Sequence, residues 1–454
     1  MLDHAKKIHC IGIGGIGVSA LAALWRAQGK QVSGSDADTG GHRAENVRDV
    51  DLVVYSDAVP EDNIERVEAR RRGISQLSYA QALGQVSREY KTIVVTGTHG
   101  KSTTTAMLGL ILESAGFDPL VLVGSKVPGW PLGNLRLPKN QDYANGLRPA
   151  NDTNKIYSDN LRPKAFASSF LIVEGDDYRD HFLELQPYAV VVTSIEWDHP
   201  DYFRDLEHTI ESFTALAEKV SKDGFVILNG DDAGCKRLAQ SLSRTTGRLS
   251  GYGNSSDIFF KLQLRVPGEF NRYNATAAAT AARELGVAEE VAQKTLAAFK
   301  GIWRRFEVIG EYEGATIISD YAHHPTAIRE TMKAAREAYP DRRLVLVYQP
   351  HQHSRTKHLF KDFVEVLKDA ADVVIVSEIY AVKGRMEDRD VNSQMLVDEI
   401  TKLRNHEIAN VLYGGNLEET KRVVLEQIKP GDVVILMGAG DIDSLAREMI
   451  LPTC

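Results

Sequence analysis

The chain has 454 residues, 43% hydrophobic and 26% charged, with a formal net charge of −8. That length exceeds a single core and predicts two to four domains, while the acidic balance excludes a global basic field for nucleic acid. No apolar run approaches the roughly 18 residues of a membrane span, the N-terminus lacks a signal-peptide pattern, and three scattered cysteines (Cys10, Cys235, Cys454) favour a reducing cytoplasm over a disulfide framework or zinc site.

The first segment, residues 1–89, opens with a buried strand over Ile8–Ile13 that enters Gly12-x-Gly14-x-x-Gly17, with Gly15 between. An apolar helix follows, then a second strand that ends at Asp36. This order predicts a dinucleotide-binding βαβ unit, with the acid roughly 20 residues after the glycines placed to meet a ribose hydroxyl. The same glycines also serve tight helix–strand packing. Asp51–Val59 reads as another strand running into a loop.

The second segment, 90–302, begins with Ile93–Thr105, IVVTGTHGKSTTT. A β-branched run breaks at Gly97, turns through Thr98, His99 and Gly100, and opens a helix at Lys101, Ser102 and Thr103. Backbone N–H groups and the positive end of a helix then converge on one point. Lys101 supplies a charge for β/γ phosphates, and the Ser102 hydroxyl suits a phosphate-bound Mg²⁺. Only two residues separate the glycines, so the spacing differs from G-x-x-x-x-G-K-[ST]. The alternative is a glycine-rich turn before an ordinary helix. Later strands are predicted over Phe170–Asp177, Tyr188–Ile195 and Phe225–Asp232, each an apolar run suited to a parallel sheet covered on both faces. Residues 134–168 lack periodicity and read as a surface insertion.

The third segment, 303–454, alternates strands such as ATIISDY, RLVLVYQ, DVVIVSEIY and DVVILMGAG with helices such as HPTAIRETMKAAREAYP, predicting a further doubly wound unit. Chemistry gathers at strand ends throughout. Glu174 ends a strand as a Mg²⁺ ligand would, or as a turn acid. Asp198 and His199 follow another strand, where a histidine binds metal, positions a phosphoryl oxygen, or is structural. Arg304 and Arg305 lie at the junction of the second and third segments, as a phosphoryl clamp or a surface ion-pair partner. Asp320, His323 and His324 end one strand; His351, His353 and Arg355 end another. Together they suit a small carboxylate or phosphate.

The motifs GIGGIGVSALA, VVTGTHGKSTTTAML, IVEGDDY, SIEWDH, WRRFE, DYAHHPTAI and QPHQHSRT run in order along nearly the whole chain. In that combination the sequence resembles the Mur ligase family, and within it the branch that adds L-alanine to UDP-N-acetylmuramate. The resemblance implies an α/β protein of three domains: an N-terminal Rossmann-like domain for the UDP-sugar, a central P-loop-type ATPase with a mostly parallel sheet, and a C-terminal Rossmann-like domain for the amino acid. It implies ATP and Mg²⁺ as cofactors, and small-molecule substrates without nucleic acid or membrane partners. A monomer or weak homodimer is expected. The implied reaction is phosphorylation of the lactyl carboxylate to an acyl phosphate, then attack by the alanine amine, in peptidoglycan precursor synthesis.

By the same resemblance Lys101, Glu174, His199 and Arg305 are catalytic, and Ser102, Glu174 and His199 serve the metal. Asn271 matches an adenine contact and Asp320 a residue near the nucleotide ribose. Gly12, Gly14, Gly15, Gly17 and Asp36 match the UDP site, to which Gly133 and Asn134 are added. His324, His351 and Arg355 match the amino-acid region. The chain departs from the family pattern at Phe270, where G-x-H-N has histidine; at Ser194, where T-N-I-E has asparagine; and at Gln352, where an arginine is usual. The passage from the second strand to the third is short, as though a helix and a strand of the family fold were missing. Two other readings remain beside alanine addition: a recycling ligase that attaches a preformed peptide, and a catalytically weakened nucleotide-binding protein.

Overall fold

A computed structural model describes residues 2, 4–37, 41–139, 170–242, 247–382, 389–403 and 410–451. The chain is α/β and carries three sheets, largely parallel. It divides into two compact units, one of Met1–Ile195, Ile210–Gln263 and Asn274–Ala297, the other of Glu196–Thr209, Leu264–Tyr273 and Ala298–Cys454. The first two sheets belong to the first unit and the third to the second.

Sheet one holds β1 (Lys7–Ile11), β2 (Gln31–Ser35), β3 (Leu52–Tyr55) and β4 (Ser75–Ser78), all parallel, in the order β2-β1-β3-β4. The first strand stops at Ile11, earlier than the apolar run suggests, because Gly12 turns to φ +82°. Between β2 and β3 the described residues contain one 3-10 turn, Ala44–Val47. β4 is an SQLS segment with little β-branched character; it pairs with β3 because the helix Ile64–Arg71 returns the chain alongside it.

Sheet two runs β11-β10-β9-β5-β8-β6-β7. Its strands are β5 (Lys91–Thr96), β6 (Leu120–Leu122), β7 (Leu135–Arg136), β8 (Phe170–Glu174), β9 (Pro187–Val192), β10 (Phe225–Asn229) and β11 (Arg248–Tyr252). Every residue of β10 is buried, as expected of a strand covered on both faces. Only β7 is antiparallel in this sheet, pairing with β6. Most of the 134–168 insertion, from 140 onward, lies outside the described residues.

Sheet three runs β12-β13-β17-β14-β15-β16. It comprises β12 (Glu307–Tyr312), β13 (Ala315–Asp320), β14 (Leu344–Tyr348), β15 (Val373–Ser377), β16 (Asn410–Gly415) and β17 (Val433–Met437). Alternation along β14 divides the core: Leu344, Leu346 and Tyr348 enter one cluster, Val345 and Val347 the other. β12 is an antiparallel edge strand on an otherwise parallel sheet. No helix among the described residues is long and apolar enough to cross a membrane. Cys10 and Cys235 are both free and buried, and burial pushes the Cys10 thiol up to about 12.

Candidate active site

The loop after β5 takes its shape from two glycines in conformations that L side chains avoid. Gly97 has φ +133°, and a Cβ there would stand 2.2 Å from Thr193 Oγ1; Gly100 has φ +82°, and a Cβ would stand 2.2 Å from Asn274 Oδ1. Neighbouring strand ends hold the loop. Thr98 N donates to the Ser194 carbonyl (2.8 Å) and His99 N to Ser194 Oγ (3.1 Å). Serine, standing where the family pattern has asparagine, thus braces the turn. Gly100 is the N-cap of the helix Lys101–Ser114 and has no side chain to cap it. The first turn therefore has no side-chain cap, an arrangement suited to an anion.

Lys101 folds back over this loop. Its Nζ donates to the carbonyls of Gly97 (2.6 Å) and Thr98 (3.3 Å) and to Asp177 Oδ1 (2.9 Å). Burial opposes its charge, but Asp177, backed by Glu174 and Asp176, outweighs burial and raises the pKa, so the ammonium stays protonated. One residue on, Ser102 Oγ donates to Glu174 Oε1 (2.9 Å), and Gly124 N donates to Glu174 Oε2 (2.6 Å). Thr103 is buried in the same turn. A hydroxyl oxygen and a carboxylate side by side are hard donors of the kind Mg²⁺ takes, so the residues present fit that ion.

The same unit carries the glycines of sheet one. Gly12, Gly14 and Gly15 form the turn between β1 and the helix Ile16–Ala27, which contains Gly17. The Asp36 carboxylate closes this turn by accepting from Gly14 N (2.9 Å). Gly133, at φ +68°, turns the chain into Asn134, whose Nδ2 donates to the Ile16 carbonyl (2.7 Å). Asn134 is thereby brought to the start of the glycine-turn helix, although more than a hundred residues separate the two in sequence.

The second unit holds the remaining candidates. Asp198 and Arg355 form a sealed pair: Arg355 Nε donates to Asp198 Oδ1 at 2.8 Å, and their side chains are 1% and 8% exposed. Burial alone would raise the Asp198 carboxyl, but the Arg355 guanidinium beside it holds it well below the usual carboxylate range. Arg355 also meets His351 Nδ1 at 3.1 Å, and His351 stacks on Tyr380 at 5.6 Å. His199 sits at φ +53°, its N–H on Asp198 Oδ1 (2.7 Å). Burial, and after it the Arg355 charge, drives the His323 pKa well down, leaving a neutral imidazole.

His324 is the N-cap of the helix Pro325–Ala338: its Nδ1 accepts from Thr326 N (3.3 Å), while Glu196 accepts from Thr326 Oγ1 (2.8 Å). Gln352, at φ +72°, is 2% exposed, and its Oε1 has no partner among the described residues.

The two junction arginines part ways. Arg304 is buried against the carbonyls of Gly438 and Gly440, the latter at 3.0 Å, and burial lowers its pKa. Arg305 is half-buried with its guanidinium 4.7 Å from the Tyr321 ring centroid. Asp320 is buried, accepting from Phe306 N (2.7 Å) and Ala322 N (2.8 Å), and burial raises its pKa. Asn271 Nδ2 donates to the Pro267 carbonyl (2.7 Å). Phe270, in place of histidine, packs against the core of sheet three.

Asp177 and Asn274 touch the candidate site, and sequence reasoning missed both. Asp177 was visible only as the last acid of EGDD, and Asn274 only as a polar residue in an alanine-rich helix.

Known proteins resemble the chain along its whole length. Three family models match in succession: the Mur ligase family catalytic domain over residues 7–91, the Mur ligase middle domain over 95–282, and the Mur ligase glutamate ligase domain over 304–440. The chain is 35% identical to the UDP-N-acetylmuramate–L-alanine ligase of Alkaliphilus metalliredigens, over 98% of this chain and 97% of that one. It is 34% identical to the enzyme of the same name from Caldanaerobacter subterraneus subsp. tengcongensis, over 99% and 98%. The crystal structure of the UDP-N-acetylmuramate-alanine ligase of Thermotoga maritima shares the fold at a TM-score of 0.76, with 24% identity and 98% of each chain covered. The chain belongs to the Mur ligase family.

Proposed function

We propose that this protein joins L-alanine to the lactyl carboxylate of UDP-N-acetylmuramate at the expense of ATP, in the cytoplasm, as a step of peptidoglycan precursor synthesis. The observation that carries the reading is the cradle of Lys101 and Ser102 against Asp177 and Glu174, with an uncapped helix N-terminus behind it. The relatives' names supply the acceptor and the amino acid. In this reading residues 1–89 take the UDP-sugar, 90–302 the ATP and 303–454 the amino acid.

A carboxylate is a poor electrophile, and its oxygen must become a good leaving group before an amine displaces it. In the first step a lactyl carboxylate oxygen attacks the γ-phosphorus and ADP leaves; in the second the alanine amine attacks the acyl carbon, phosphate leaves and the nitrogen loses a proton. Neither step needs a covalent nucleophile from the protein, so catalysis is positioning and charge stabilisation. Lys101 exchanges the Gly97 and Thr98 carbonyls for β/γ-phosphate oxygens without leaving Asp177. Ser102 and Glu174 would hold Mg²⁺, which neutralises charge on the phosphates when bound. Arg305, set against Tyr321, offers a guanidinium suited to an anion. The neutral His323 and the Arg355–Asp198 pair shape the amino-acid pocket.

ADP release coupled to a reporter tests the reading. Turnover with UDP-N-acetylmuramate and free L-alanine, above that with glycine or L-serine, is expected. Turnover only with a preformed tripeptide would assign the chain to the recycling reaction instead.

A further inference from the structure

Tyr79 takes no part in the chemistry so far, yet it stands where both halves of the first unit converge. It opens the helix Tyr79–Ser87, which is fixed by a full capping box: Ser78 Oγ accepts from Gln81 N (3.2 Å) and the Gln81 side chain accepts from Ser78 N (3.1 Å). A helix start held from both sides gives its first side chain little freedom. The ring lies directly on Gly17: a Cβ there would come within 2.7 Å of Tyr79 Cζ and 3.0 Å of its hydroxyl oxygen. Glycine at 17 therefore admits the phenol to the nucleotide turn, where even alanine would displace it.

The hydroxyl donates to no other described residue and is left available to a ligand. Its surroundings are acidic. Burial pushes its pKa above the usual tyrosine range, and Asp176, Glu174 and Asp57 push it further. Two of those acids are already joined, through His181, whose Nδ1 lies 2.9 Å from Asp176 and whose Nε2 lies 3.6 Å from Asp57. The phenol thus keeps its proton at any physiological pH and is a fixed donor between the glycine turn of sheet one and the Glu174 end of β8.

We propose that the Tyr79 hydroxyl donates a hydrogen bond to an anionic oxygen of the sugar nucleotide, and that Tyr79 is a substrate-positioning residue of the ligation. The oxygen belongs either to the diphosphate or to the acid end of the sugar. The proposal rests on UDP-N-acetylmuramate being the substrate.

Tyr79→Phe keeps the ring on Gly17 and removes only the donor. Calorimetric titration of wild type and variant with UDP-N-acetylmuramate, and with UDP alone, reads the loss directly. Expected is an approximately tenfold weaker UDP-N-acetylmuramate affinity and a matching rise in its KM, the scale of one hydrogen bond to a charged group. The KM for ATP stays within about twofold and the melting temperature is unchanged. Equal weakening toward UDP supports the diphosphate as acceptor; undiminished UDP binding supports the acid end. Unchanged UDP-N-acetylmuramate affinity, or an equal rise in both KM values, overturns the role of Tyr79. A wild type that binds no UDP-N-acetylmuramate overturns the functional reading with it, whereas a binding wild type with an unaffected variant overturns the tyrosine's role alone.

Discussion

Each unit of this protein holds a cation against an aspartate, and the two pairs have nearly the same length: 2.9 Å for Lys101–Asp177 and 2.8 Å for Arg355–Asp198. Their surroundings differ. The Lys101 side chain is 19% exposed and shares its protons between Asp177 and two loop carbonyls, and the carbonyls are replaceable by phosphate oxygens. Arg355 is 1% exposed, and its partner is an acid whose pKa it depresses. In the proposed reading the first pair is a cation held in waiting for an anion; the second holds His351 through Arg355 and the His199 N–H through Asp198. Distance alone does not tell these roles apart. Access and the replaceability of the partners do.

The largest expected effect lies at the open pair. Lys101→Ala should lower turnover about 10³-fold, the scale of losing a preorganised charge on a transferring group. Turnover near wild type would remove the cradle from the mechanism. At the sealed pair the effect should move from rate to stability. Asp198→Ala leaves Arg355 buried without its counter-charge, and urea unfolding should show a loss of about 3–5 kcal/mol. A loss no larger than that of Asp177→Ala would erase the distinction between the pairs.

Ser102→Ala should cost less than Lys101→Ala, about 10–100-fold in turnover, because one hydroxyl beside Glu174 is removed and the carboxylate stays. A shift in the Mg²⁺ concentration needed for half-maximal rate should accompany it.

The smallest effect is in pH. Asp198 has a folded pKa below its unfolded value of about 3.9, so its contribution is complete above that value and is lost as pH falls through it toward the folded pKa. Acid unfolding curves of wild type and Asp198→Asn should therefore converge below about pH 4, whereas a constant offset would contradict the pairing.

What the sequence made legible follows the range of the interactions. β9 and β10 were readable because each is an unbroken apolar run, and the helix Pro325–Ala338 because it carries a proline at its start. Neither β4 (SQLS) nor β11 (RLSGY) has such a run. Their pairing is imposed by neighbours already in the sheet. The Gly97–Ser102 loop suggests a phosphate site from sequence because its chemistry is local. The partners of its residues are not: Glu174 lies 72 residues from Ser102, and Asp177 lies 76 from Lys101. Arg355 was read as a carboxylate-binding arginine. That its Nε faces Asp198, 157 residues away, follows only from the fold. The arginine pair of WRRFE looked uniform, yet the positive φ of Arg304 turns one guanidinium inward to the Gly438 and Gly440 carbonyls.

The central claim is that the loop's ATP activates a carboxylate, and isotope transfer tests it most directly. UDP-N-acetylmuramate carrying ¹⁸O in both lactyl carboxylate oxygens, turned over with ATP and L-alanine, should release inorganic phosphate with one ¹⁸O per amide formed, read by mass spectrometry or phosphorus NMR. Phosphate free of label, with amide formed in the same reaction, would contradict the acyl phosphate and the account built on it.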